Sequence, residues 1–305
     1  MLLGYNTNGL AFHRWQDGLE LLAEVGYRSV AITVDQHCLN PFASNFTSEL
    51  DEMRRTLERL RLRSVIETGA RFLLDPRQKH EPTLISPTAE GRTRRVDFLR
   101  RCLDIAKELN SDAVSFWSGV CSLDCQTQPM WHDAPRRESR RGASRHNAHA
   151  PMASQFNDEV SQWLLDGCRQ VTDDAEQRGV QLAFEPEPGM WIETLEQYGQ
   201  LAEQVGSPRF GLTIDIGHVQ CVEDGLIADH LRQWASRLCN IHIEDMRRGV
   251  HDHLRFGEGE IDFPPIMAAL REMGYTGCVN VELSRHSHMA PEVLRESFEF
   301  LKPWM

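Results

Sequence analysis

The sequence predicts an α/β fold, a (β/α)8 TIM barrel in a single domain spanning 1–305, and two observations carry that prediction. Eight short apolar runs rich in β-branched residues recur along the chain, and amphipathic, charged segments separate them. Near-continuous apolar runs of this length suit strands buried on both faces, as in a parallel sheet. Eight alternations of strand and helix close a barrel. An open doubly wound sheet is the alternative, but no glycine-rich phosphate loop follows the first run to support it.

The strand runs are 2–9, 29–34, 63–69, 112–119, 180–187, 210–218, 238–245 and 277–284. The first helix is predicted over 14–25, with Trp15, Leu19, Leu22 and Val25 on one stripe. A second covers 47–62 through Leu50, Met53, Leu57 and Leu60, and a third covers 92–109 through Val96, Leu99, Leu103 and Ile105. The same spacing places helices over 156–178, 194–205, 222–236, 263–273 and 291–301. Gly26 and Gly274 stand where helices end and a left-handed residue is favoured. Two connections, about 70–91 and 120–154, exceed the ~15 residues of ordinary loops and follow strand ends, on the side where barrels hold their sites.

Composition narrows the function classes. The formal net charge of -12 argues against a surface that grips nucleic acid as a whole. Arg136, Arg137, Arg140, Arg141 and Arg145 crowd the second long loop and suit either a solvated segment or contact with phosphate groups. No apolar run reaches the ~18 residues of a membrane span, and the start lacks a basic region followed by an apolar one, so no membrane partner and a cytoplasmic location are expected. The eight cysteines are scattered, which suits reduced thiols. Self-association through Trp131, Phe156 and Trp304 is a further expectation.

The chemistry gathers at the last four strand ends. Glu185 follows the fifth run, Asp215 the sixth, His242 the seventh and Glu282 the eighth. A lone carboxylate at a strand end is as readily a helix cap or the partner of an arginine. Four consecutive strands ending in ligand-type residues point instead to a divalent-ion site, since a barrel brings these ends to one mouth. Three carboxylates and an imidazole suit Mn, Mg, Co, Fe or Zn. Glu67 and Trp117 stand at the third and fourth strand ends as candidate substrate-binding residues, and His13, Asp35 and His37 near the first two as expected lining of the pocket. Arg71, Lys79 and Arg92 flank the first long loop as expected phosphate contacts.

The motifs EPEPG at 185–189, DIGH at 215–218, HIED at 242–245, FGEGEIDF at 256–263, and GYTG with VELS at 274–284 resemble the xylose isomerase-like TIM barrel superfamily. That superfamily includes sugar epimerases, sugar isomerases and endonuclease IV. The resemblance to the epimerases implies an isomerase or epimerase of a sugar, polyol or related keto compound. Glu185 and Glu282 would bind the metal and exchange a proton beside a carbonyl through a metal-stabilised ene-diolate, with His218 and Arg248 on the substrate. The resemblance to endonuclease IV implies a hydrolase of a phosphate ester or nucleic acid, with a second metal on His218, His251 and His253. Its further metal would need histidines where this chain has Glu67, which could still ligate, and Trp117, which cannot, so Trp117 is better suited to packing on a sugar face or a base. A barrel that binds metal or ligand without turnover is the third reading.

Overall fold

The computed structural model describes residues 1–120 and 159–305. The arginines at 136–145, Cys121, Cys125, Trp131 and Phe156 lie outside the described residues. Eight parallel strands form a closed barrel. They are β1 (Leu2–Asn6), β2 (Ser29–Thr33), β3 (Arg63–Glu67), β4 (Val114–Phe116), β5 (Leu182–Phe184), β6 (Phe210–Asp215), β7 (Leu238–Ile243) and β10 (Cys278–Val281). Around the barrel the order is β1, β10, β7, β6, β5, β4, β3, β2. An antiparallel hairpin, β8 (Asp245–Arg247) and β9 (Val250–Leu254), stands apart from the barrel between β7 and β10 in sequence.

The helices are α1 (Trp15–Val25), α2 (Phe46–Leu60), α3 (Ala89–Leu109), α4 (Glu159–Arg178), α5 (Leu195–Val205), α6 (Ile216–Val222), α7 (Ile227–Trp234), α8 (Phe263–Glu272) and α9 (Ala290–Leu301). Their predicted stripes face inward: Leu19 and Leu22 of α1, Met53 and Leu57 of α2, and Val96, Leu99 and Leu103 of α3 are all buried. Gly26 ends α1 at φ 120 and Gly274 follows α8 at φ 63, conformations that favour glycine.

Of the boundaries that differ from the sequence reading, two have a clear local cause. Helix α3 begins one turn early, because the Thr88 side chain accepts from the Gly91 amide and caps it there. The helix predicted over 222–236 is shorter, α7 over Ile227–Trp234, and the strand predicted over 210–218 stops at Asp215, where α6 begins. Asp215 caps α6 by accepting from the His218 amide, and Gly225, at φ 94, lies in the break before α7.

The barrel interior is small and polar rather than packed with large aliphatics. Ser29, Thr33, Glu67, Ser115, Thr213, Asn240 and Asn280 are all buried there. They satisfy one another: Asn280 Nδ2 donates to Asn240 Oδ1 at 3.0 Å, Thr33 Oγ1 to Asn6 Oδ1 at 2.8 Å, and Ser115 Oγ lies 3.0 Å from Thr213 Oγ1. Gly4 sits between Asn280 on one neighbouring strand and Ser29 on the other. Outside the barrel, Asp245 collects the amides of Met246, Gly257 and Ile261 at 2.9, 2.8 and 3.1 Å, which closes the FGEGEI turn onto the hairpin. Among the described residues no helix is long and apolar enough to cross a membrane, and the described cysteines are all free thiols.

Candidate metal centre at the barrel mouth

The strand ends named from sequence meet at one mouth. Asp215 is the last residue of β6, Glu185 and Glu282 directly follow β5 and β10, and His242 is in β7. One donor atom from each of these four lies within 4.8 Å of the others. His242 Nδ1 is 2.8 Å from Glu282 Oε2, 3.1 Å from Glu185 Oε1 and 4.0 Å from Asp215 Oδ2. Glu185, His242 and Glu282 line a cavity of about 710 Å³, with Asn8, Glu67, Trp117, Glu187, His218 and Arg285, while Asp215 is not in its lining.

The other imidazole nitrogen of His242 faces away from this group. Nε2 lies 2.9 Å from Glu67 Oε1, which also accepts from Asn240 Nδ2 at 3.2 Å. Glu67 thus lines the cavity and at the same time holds the ring that aims Nδ1 at the carboxylates. Sequence reading assigned Glu67 to substrate and missed Asn240. It also missed Asn8, whose Nδ2 donates to Glu282 Oε1 at 2.7 Å. The asparagine in YNTNG follows the first strand, but the sequence gives no sign that β1 and β10 are neighbours.

Burial and crowding set the charges. Burial raises the Glu185 carboxyl to about 7, with Glu282 and Asp215 adding to the rise against the pull of His242. Burial also works against ionisation of Glu282, but the His242 charge and hydrogen bond outweigh it and bring it down to about 2. For Asp215 the imidazoles of His218 and His253 likewise overcome burial and hold the carboxyl low. His242 is driven well above its ordinary range despite burial, by Glu185, Glu67 and Glu282. A proton on His242 therefore stands where three carboxylates converge, which is the electrostatic environment a cation wants. The donor set of oxygen and nitrogen atoms, and a buried Asp215 Oδ2 with no hydrogen-bond partner, fit a divalent ion.

A second group adjoins the first. His218, at the start of α6, and His251 and His253, on β9, place one ring nitrogen each within 4.8 Å of one another. His251 Nε2 and His218 Nε2 are 3.0 Å apart. The two-residue spacing puts His251 and His253 on one side of an extended strand. His218 also reaches Asp215 Oδ2 at 3.5 Å and Glu185 Oε1 at 3.6 Å, so the two groups are continuous.

Other expectations fall elsewhere. Arg248 lies on the exposed hairpin turn, donates to Asp224 Oδ1 at 2.5 Å and is absent from the cavity lining. Trp117 does line the cavity, with Arg95 stacked 4.7 Å from its ring and His80 edge-on at 5.5 Å. Arg71 and Lys79 line it too, but Arg92 turns to the Ser86 carbonyl. His13 and His37 line a separate surface pocket, and Asp35 is held by Arg71. Trp304 is half-buried and packs on Phe300.

The xylose isomerase-like TIM barrel model matches residues 19–304. The chain is 28% identical over 153 residues to an inosose dehydratase of Geobacillus thermodenitrificans (strain NG80-2), a match covering 44% of this chain and 51% of that one. It is 22% identical over 271 residues to the L-ribulose-5-phosphate 3-epimerase UlaE of Shigella flexneri serotype 5b (strain 8401), covering 88% and 82%. The chain spans about half the length of the first curated relatives it matches. The apo structure of the 3-keto-D-glucoside 4-epimerase YcjR from E. coli superposes with a TM-score of 0.74 at 17% identity, covering 99% of each chain. With the closed barrel and a family match over nearly its whole length, the chain belongs to the xylose isomerase-like TIM barrel family.

Proposed function

We propose that this chain is a divalent-metal-dependent isomerase or epimerase acting on a sugar, polyol or related keto compound. The observation that carries the reading is the meeting of Glu185, Asp215, His242 and Glu282 beside a cavity of about 710 Å³ that Glu185, His242 and Glu282 line, large enough for a monosaccharide. Those four residues would hold the ion, and when bound it supplies Lewis-acid polarisation of a substrate carbonyl. Glu185 and Glu282 would stand on either side of the adjacent carbon and move its proton, one removing it and the other returning it. Asn8 holds the far oxygen of Glu282 and fixes its direction. Trp117 offers an aromatic face to the apolar side of a sugar ring, and His218 offers it a hydrogen bond. The likeness to UlaE, an epimerase by name, supports the same reaction class.

The test is exchange with solvent. Turnover in deuterated water is expected to place deuterium on the carbon beside the carbonyl. Glu185→Gln and Glu282→Gln should each lower that exchange by about 10²–10⁴-fold. A panel of ketoses, sugar phosphates and keto-glycosides that shows no exchange with the metal-loaded protein would overturn the reading.

The convergence of His218, His251 and His253 favours a second reading, a phosphate-ester hydrolase with more than one metal. Against it stand Trp117, which offers no ligand, and Glu67, whose oxygen is engaged by His242. Release of inorganic phosphate from a phosphomonoester panel, abolished by His251→Ala, would favour the hydrolase.

A further inference from the structure

Glu244 directly follows β7 and is fully buried, with neither carboxylate oxygen meeting a hydrogen-bond donor among the described residues. A buried carboxylate without a partner is costly, so something must compensate it. No arginine or lysine pairs with it among the described residues; its charged neighbour is His253, whose Nδ1 lies 3.6 Å from Glu244 Oε1. That separation is too long for a hydrogen bond, and His253 Nδ1 is itself buried without a partner. Asp215 Oδ2 is a fourth buried atom in the same condition. One donor atom from each of Asp215, Glu244 and His253 lies within 4.8 Å of the others.

Two ligands ~2.1 Å from one tetrahedral ion stand about 3.4 Å apart, close to the spacing of His253 and Glu244. The space beside them depends on Gly217: a Cβ there would come within 2.0 Å of Glu244 Oε1 and 3.1 Å of Asp215 Oδ1. Charge points the same way. An ion at the first cluster alone would leave the buried Glu244 carboxylate with His253 as its one nearby counter-charge among the described residues.

We propose that Asp215, Glu244 and His253 form a second divalent-cation site, with Asp215 shared between it and the first cluster. The site takes a first-row divalent ion such as zinc or manganese, held by mixed carboxylate and imidazole ligands. It differs from the three-histidine grouping in requiring Glu244 and in not requiring His251. It goes beyond the proposed isomerase reading, since one ion suffices there.

Metal counting on the full-length chain, stripped with chelator, reloaded with zinc or manganese and desalted, tests the assignment. Two ions per chain are expected in the wild type and one in Glu244→Gln. Glu244→Leu should repeat that count, and stripped Glu244→Gln should melt no lower than stripped wild type, which shows that the loss is not a loss of fold. His251→Ala should still hold two. A single ion in the wild type overturns the proposal, and so does a count of two in both Glu244 variants. A drop to one in His251→Ala with no change in Glu244→Gln also overturns it, in favour of the three-histidine site. The deuterium exchange assay reads the first cluster separately, because Glu244→Gln leaves Glu185, His242 and Glu282 in place.

Discussion

At the scale of single residues, His242 shows how the candidate centre is aimed. One ring nitrogen faces Glu282 and Glu185 and the other is 2.9 Å from Glu67, so the Glu67 carboxylate fixes both the tautomer and the ring plane. Outer carboxylates of this kind strengthen an imidazole ligand, and losing one costs about 10–100-fold in metal affinity. Glu67→Leu should weaken manganese or zinc binding by that amount in a calorimetric titration, while Glu67→Gln, which keeps an acceptor, should weaken it less. His242 also makes metal binding depend on pH. Its carboxylate neighbours raise it well above the ordinary histidine range, so the metal-free chain carries a proton there at neutral pH that an ion must displace. Affinity should therefore fall as pH falls, and calorimetry in buffers of different ionisation heats should show proton release on binding. Glu185, Asp215, His242 and Glu282 were legible in the sequence because four successive strands end in ligand-type residues. Glu244, Asn8 and Asn240 were not. A glutamate or asparagine beside a strand end has many roles, and only the closed barrel shows that Asn8 reaches Glu282 across 274 positions of sequence.

At the scale of elements, the strands and most helices were legible because their apolar periods are strong. The hairpin β8–β9 was not legible, since its residues carry no alternating apolar pattern and are half-buried or exposed along β9. The start of α6 was hidden for a different reason: DIGH reads as strand by its apolar residues, and only Asp215 capping the His218 amide shows that a helix starts there. The long connection after β3 is pinned by His80, whose Nδ1 lies 2.6 Å from the Gly69 carbonyl. Burial, with Lys79, Arg95 and Arg71 near it, lowers His80 from 6.5 to about 4. Between those values the unfolded chain binds a proton that the folded chain does not, so this contribution is whole above pH 6.5 and is lost as pH falls toward 4. The loss amounts to about 3 kcal/mol at most. His80→Asn, which keeps a donor toward Gly69, should flatten that dependence in denaturant melts at pH 7 and pH 5.

At the scale of the whole molecule, the polar barrel interior links distant positions. Gly4 faces Asn280 and Ser29, and a Cβ there would stand 2.0 Å from Asn280 Oδ1 and 2.2 Å from Ser29 Oγ. Asn280 donates to Asn240, Asn240 to Glu67, and Glu67 holds His242. Gly4→Ala should thus cost about 1–3 kcal/mol of stability by overpacking. It should also weaken metal binding, which a substitution confined to the outer helices would not do. Measuring both on one variant separates a displaced relay from a merely looser fold. The fold class was legible at this scale from eight alternations alone, but the choice of a small polar interior was not, because alternate residues of a buried strand do not announce which side faces the axis.

The glycine-rich turn FGEGEI has a consequence of the same breadth. Turns of successive amides commonly cradle phosphate. Here Asp245 already fills that role from within: its carboxylate takes the Gly257 and Ile261 amides, and a Cβ at Gly259 would come 2.2 Å from its Oδ1. The nest arrives with its own anion built in. A phosphorylated ligand would find those two amides already spent, and the strand carrying His251 and His253 is moored to the barrel by a charge the chain supplies itself.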